Sequence, residues 1–152
     1  MDRLDRKILS ALQQFPEMSV VDIASHVGLS HTPCWRRIKK LEEMGAIRGK
    51  VVLLDAQLLG LTVDVFAQLK LKQHDEETLN RFETAVRDRS EIVECFSMSG
   101  DSDYLIRIVI DSIASYETFL KKVLLHLPGV GSINSNFALG CVKMTTNLPI
   151  TS

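Results

Sequence analysis

The chain has 152 residues, 45% of them hydrophobic and 24% charged, and a formal net charge of -1. That length holds one domain or two small ones, and so balanced a composition excludes a disordered tail, a collagen-like repeat and a disulfide miniprotein. A total charge near zero also offers no evident pull on phosphate, but the total conceals a split. Residues 1–50 carry nine Lys and Arg against six Asp and Glu, whereas residues 51–152 carry nine against thirteen, so a module of +3 is cancelled by one of -4.

From Leu4 the residues Leu4, Ile8, Ala11, Leu12 and Phe15 recur at helical spacing, and Phe15-Pro16 closes that first helix. Ser19, three residues before Asp22, opens a second helix with Val20, Ile23, Ala24 and Val27 as its buried stripe and Gly28 as its terminator. Thr32-Pro33 reads as an N-cap followed by Pro at the first position of a third helix, which runs to Met44 and stops at Gly45.

On the third helix Cys34, Ile38 and Leu41 share a narrow arc, while Arg36, Arg37, Lys39 and Lys40 spread over the other side. A basic outer face is the default for a solvated helix. Here, though, a short helix, a glycine-containing turn and a helix opened by small polar residues follow in the order of a helix-turn-helix, whose second helix enters the major groove of double-stranded DNA. Ser30, His31, Thr32, Trp35 and Arg36 are then the candidates for base contacts, and Arg37, Lys39 and Lys40 for phosphates. Arg48 and Lys50 follow on a wing or a second phosphate clamp. Trp35 has an equal alternative in packing against the first helix, and His31 in a solvated turn.

Gly49 to Leu54 is rich in β-formers and leads into Leu58-Leu59-Gly60, so residues 51–61 read as a β-strand linker or hinge between a domain over 1–50 and one over 62–152. Thr62 to Lys72 alternates with period two, Phe66 interrupting the polar side as a possible interface residue. Asp75 to Arg89 carries a helical stripe of Leu79, Phe82, Ala85 and Val86. Ile92 to Met98 and Tyr104 to Ile110 are strands joined by the turn Ser99-Gly100-Asp101-Ser102-Asp103. A helix from Ile113 to Leu127 ends at Pro128-Gly129, and Ile133 to Leu139 and Val142 to Thr146 supply strand again. The order β-α-β-β-α-β is that of a ferredoxin-like domain, with one sheet face left for a partner subunit; the fold class is α+β.

Leu4-Asp5-Arg6-Lys7-Ile8-Leu9, Val27-Gly28-Leu29-Ser30 and Arg36-Arg37-Ile38-Lys39-Lys40-Leu41-Glu42 resemble the N-terminal half of the Lrp/AsnC, or feast/famine, transcription regulators. Gly100-Asp101-Ser102-Asp103-Tyr104, Leu127-Pro128-Gly129-Val130 and Val142-Lys143 resemble the other half. The resemblance implies a winged helix-turn-helix joined to an αβ domain, homodimers that often assemble into octamers or other higher homo-oligomers, and an amino-acid effector held between subunits. Thr32-Pro33-Cys34-Trp35 is similar to a branch that includes cysteine-responsive members.

An amino-acid pocket needs an acidic group for the ammonium and backbone amides for the carboxylate. Ser99, Gly100, Asp101 and Asp103 supply both, Asp101 or Asp103 pairing the ammonium; an ordinary β-turn is the alternative. Tyr104 either joins this site or packs, and Ser135 is a further effector candidate from a neighbouring subunit.

The expected function is therefore a sequence-specific DNA-binding transcriptional regulator answering to a small amino acid. The alternatives are an architectural DNA-binding protein without effector and a small-molecule-binding ferredoxin-like enzyme subunit. No catalytic set, metal-ligand spacing or phosphate loop stands out, and His26, His31, His74 and His126 are scattered, so no enzyme activity, metal or cofactor is expected. No run of roughly 18 apolar residues suggests a membrane span. The charged start Met1-Asp2-Arg3 is unlike a signal peptide, so the expected location is cytoplasmic. Cys34, Cys95 and Cys141, odd in number and widely spaced, are expected to be buried reduced thiols.

Overall fold

The computed structural model describes residues 1–151. Two compact units make up the chain: residues 1–52 together with the tail from Lys143, and Leu53–Val142.

In the first unit, α1 (Arg3–Gln14) starts from Asp2, where the carboxylates of Asp2 and Asp5 each accept the other's backbone N–H at 2.9 Å. α2 (Val20–Val27) is capped by the Ser19 hydroxyl, as its sequence predicts, and ends at Gly28 in the left-handed region at φ 76°. α3 spans His31–Glu43.

The start of α3 corrects the sequence expectation. Ser30 is the N-cap, and Pro33 occupies the third helical position. The first intrahelical bond runs from the Cys34 N–H to the Ser30 carbonyl, so an N–H at residue 33 would have had no helical partner and proline costs the helix nothing there. At the far end Gly45 adopts φ 75°, with Gly45 N–H bonded to Glu42 and Ala46 N–H to Leu41, the paired bonds of a Schellman turn. Ile8 and Ala11 of α1, Ile23, Ala24 and Val27 of α2, and Cys34, Ile38 and Leu41 of α3 close one core.

The second unit is a four-stranded antiparallel sheet in the order β2-β3-β1-β4, from β1 (Val63–Leu71), β2 (Ile92–Ser97), β3 (Tyr104–Ile110) and β4 (Val130–Phe137). α4 (Glu76–Arg87) and α5 (Ile113–Lys122) cover one face. Val65, Ala67, Leu69, Leu71, Ile106 and Ile108 from the sheet pack there with Phe82, Val86, Tyr116, Phe119 and Leu124. This is the ferredoxin-like arrangement read from the sequence.

Strand alternation places Phe66, paired with Arg107, and Phe96, paired with Leu105, on the opposite face. There Arg107 joins Asp64 at 2.8 Å and Glu94 at 3.7 Å, and Phe66 and Phe96 are 38% and 53% exposed.

Three boundaries differ from the sequence expectation. Residues 51–61 form no strand within the chain, since their β-forming side chains meet no pairing segment, and Ala56–Gly60 is a turn fixed by the Asp55 carboxylate on the Gln57 and Leu58 amides. The last helix ends at Lys122 and gives way to a 3-10 turn at Leu124–His126. Residues 142–146 are not a strand; the tail from Lys143 clusters with the first unit, not with the domain to which the sequence assigned it.

Candidate functional site

The solvated face of α3 is the first site. Burial of Cys34, Ile38 and Leu41 leaves His31, Thr32, Trp35, Arg36, Lys39 and Lys40 exposed, with Ser30 exposed just before them. Ser30 makes no side-chain cap bond, so its hydroxyl is not committed to the helix start. Trp35 is 45% exposed and belongs to the outward face, not to the packing between helices.

The basic residues on and after this helix have different partners. Arg37 Nη1 lies 2.7 Å from both Asp2 and Asp5, so the expected phosphate contact is an ion pair to the cap of α1. The hydrogen bonds to Asp2 and Asp5 raise the Arg37 pKa, and the Asp5 N–H together with Arg37 holds Asp2 below the ordinary carboxylate value. Lys39 pairs with Glu42 at 2.7 Å on the helix surface. Among the described residues, Arg36, Lys40, Arg48 and Lys50 form no ion pair. They are the cations free to meet an external anion.

The β2–β3 turn is the second site. It closes with Met98 N–H on the Asp103 carbonyl at 2.9 Å, and Gly100 takes φ 100°. Asp103 is tied into the sheet three ways: its N–H donates to the Leu69 carbonyl, its carboxylate accepts from the Leu71 N–H at 2.7 Å, and it meets His74 Nε2 at 3.0 Å. The Leu71 bond, followed by His74, pulls its pKa below the ordinary value. Ser99, Gly100 and Asp101 remain exposed.

Tyr104 packs. It is buried against Phe82, with ring centroids 4.5 Å apart, and its hydroxyl donates to Glu83 at 2.9 Å. Burial first, then the Glu83 bond, pushes its pKa up to about 12. Ser135, opposite Ala67, is hydrogen-bonded to the Tyr116 hydroxyl on the helix side of the sheet and makes no bond to the turn. The structure thus groups Ser99, Gly100, Asp101 and Asp103 on one turn, packs Tyr104 into the core and places Ser135 on β4 beside Tyr116.

A groove of about 380 Å³ between α4 and β2 is lined by Glu83, Arg87, Cys95 and Tyr104 but by none of the turn residues 99–103. Sequence reasoning missed His74 and the Leu71 amide as partners of Asp103, and Asp2 and Asp5 as partners of Arg37. The Asp2-Arg3-Leu4-Asp5 capping spacing was the one visible signal. Of the cysteines only Cys34 is buried as expected; Cys95 is half-buried and Cys141 exposed, because Cys141 follows the last strand.

Residues 1–48 match the model of a winged helix-turn-helix DNA-binding domain, and residues 64–148 match that of the Lrp/AsnC ligand binding domain. The chain belongs to the Lrp/AsnC family. It is 39% identical over 150 residues to the DNA-binding transcriptional activator DecR of Escherichia coli, covering 99% of each chain. Its fold matches an AsnC family transcriptional regulator from Agrobacterium tumefaciens with a TM-score of 0.91 and 46% identity, over 98% of this chain and 97% of that one. A transcriptional regulator of Neisseria meningitidis, solved as a complex with L-Met, superposes with a TM-score of 0.91 at 32% identity, over 98% and 96% of the two chains.

This Lrp/AsnC chain is therefore a DNA-binding transcriptional regulator with a ligand-binding domain, and α3 falls in the first matched region and the β2–β3 turn in the second. No helix among the described residues is long and apolar enough to cross a membrane.

Proposed function

We propose that this regulator reads double-stranded DNA with the outward face of α3 and that a free amino acid, bound at the β2–β3 turn, changes that binding. The observation that carries the first half is the division of α3 into a buried Cys34, Ile38, Leu41 side and an outward side where Trp35 is exposed and, among the described residues, Arg36 and Lys40 form no ion pair. Ser30, His31, Thr32, Trp35 and Arg36 meet base edges from the N-cap and the first two turns of the helix; Lys40, Arg48 and Lys50 meet phosphates.

The effector half rests on chemistry at the turn. The exposed amides around Gly100 suit a carboxylate, and Asp101, whose carboxylate is not committed to the sheet as that of Asp103 is, suits an ammonium. The outward face of the sheet, with Phe66 and Phe96 around the Arg107 ion pairs, supports pairing into a homodimer, with octamers or other higher rings built from dimers and the effector held between subunits. The Thr32-Pro33-Cys34-Trp35 stretch places cysteine first among amino acids to test, with methionine next on the strength of the Neisseria meningitidis complex.

Genome-wide footprinting with and without candidate amino acids tests both halves. Discrete protected sites that change in extent or occupancy with one amino acid support the proposal. Discrete sites indifferent to every amino acid leave an architectural DNA-binding protein, and no protected sites remove the DNA-binding half.

A further inference from the structure

The tail from Lys143 packs with the helix-turn-helix unit although the chain enters it from β4, the last strand of the ligand-binding domain. Its contacts are specific. The Gln13 side-chain amide brackets the backbone of Leu148, accepting the Leu148 N–H at 2.7 Å and donating to the Leu148 carbonyl at 3.2 Å. Arg6 Nη1 donates to the Thr151 carbonyl at 2.9 Å. Between them the Ile150 N–H turns back to the Leu148 carbonyl, and half-buried Ile150 lines a groove of about 370 Å³ with Ala11, Val27, Ser10 and His26.

Arg6, Ser10 and Gln13 stand at i, i+4 and i+7 on α1, so they form one polar stripe along the helix. A glutamine that satisfies both the backbone donor and the backbone acceptor of one residue holds that segment in register. The groove is walled by α1, α2 and the tail, with no residue of α3. A docked tail therefore leaves the outward face of α3 free.

The covalent consequence follows from chain length. From Ile47, the last residue packed on the first core, to Val63 at the start of β1 are sixteen residue steps, a reach of roughly 55 Å when extended. From Ala138, whose N–H is still bonded to the Asp64 carbonyl, to Leu148 are ten steps, a reach of roughly 35 Å. One flexible link lets a domain swivel; a second, shorter link attached to another part of its surface removes most of that freedom.

We infer that residues 143–151 are a clasp on α1 that ties each DNA-binding unit back to β4 and so limits the spacings of DNA half-sites that two reading heads of an oligomer can span. The first part stands on the contacts above; the effect on spacing rests on the proposed function, and the experiment separates the two.

Hydrogen exchange on the full-length protein, read on the peptide covering 143–151, requires no DNA. The tail exchanges roughly tenfold slower in the parent than in Gln13→Ala and Ile150→Asp, which remove the amide bracket and the apolar anchor separately. Equal, fast exchange in all three overturns the clasp. Binding to operators whose half-sites are moved by about half a helical turn, roughly 5 base pairs, is then compared between the parent and a chain ending at Val142. The parent loses affinity at least tenfold on the shifted operator and the shortened chain less than threefold; equal losses overturn the spacing role. Tail protection in a protein that binds no operator leaves the clasp standing and removes the DNA reading instead.

Discussion

Arg37 lies 2.7 Å from Asp5, 32 residues earlier in the chain, and by this pair α3, the helix proposed to meet DNA, is fastened to the cap of α1. The same guanidinium nitrogen reaches Asp2, so one cation braces two carboxylates that are already bonded to each other's amides. Such a residue is expected to act on the fold of the first unit more than on DNA.

Arg37→Ala should therefore lower the melting temperature of the protein, and Arg37→Gln should recover part of the loss by keeping a donor at the cap. Neither should change the slope of log affinity against log salt by the roughly one unit that removal of a phosphate contact produces. Thermal melts and salt titrations of the same two variants check this together.

The Asp103 carboxylate gives a pH dependence. Its folded pKa is held below the ordinary 3.8 by the Leu71 N–H first and by His74 next. A carboxyl with a depressed folded pKa adds stability that is fully present above its unfolded pKa and is lost as pH falls through the folded one. Asp103→Asn should be less stable than the parent at neutral pH, and the gap should narrow below about pH 4. Denaturant melts at pH 7, 5, 4 and 3 measure it, and a gap of constant size contradicts the assignment.

Gly129 is needed on two counts. It adopts φ 74°, and a Cβ there would collide with the Thr78 methyl group at the start of α4. Gly129→Ala should destabilise by about 1–2 kcal/mol for the left-handed backbone alone, with the collision adding to that. Adding Thr78→Ser removes the methyl group and should return only the collision part, so the double variant should melt above Gly129→Ala and below Thr78→Ser.

The three thiols should separate by reactivity. Cys141 is exposed, Cys95 is half-buried with its thiol pKa raised by burial and then by Glu83, and Cys34 is fully buried with its pKa raised by burial. A thiol reagent added to native protein should label Cys141 first, Cys95 slowly and Cys34 only on unfolding. Prompt native labelling of Cys34, read by peptide mass, would overturn its packing role in α3.

Local chemistry made much of this fold legible in the sequence. Ser19, Gly28 and Gly45 act on residues within one helical turn of themselves, and the alternation of Val63 to Leu71 declares which side of β1 is buried. Pro33 misled because proline fits more than one position of a first turn: the helix starts from Ser30, two residues before the expected cap, and proline takes the third position, whose N–H would have had no helical partner. The two findings least visible in advance are both long-range. Arg37 meets Asp2 and Asp5 across more than thirty residues, and Gln13 meets Leu148 across 135, separations at which no periodicity reports a partner. For the same reason the basic face of α3 was legible as a face, while which of its cations were already engaged was not.

The most direct test of the central claim is the salt dependence of DNA affinity for Arg36→Ala and Lys40→Ala beside Arg37→Ala. Lys40→Ala should weaken binding about equally across sequences and reduce the salt slope by roughly one, and Arg36→Ala should cost about 1–3 kcal/mol on the preferred site and relax the choice of sequence there. Arg37→Ala should leave the slope of the folded protein intact. If the Arg36 and Lys40 variants bind with unchanged affinity and slope, the outward face of α3 is not what meets the DNA.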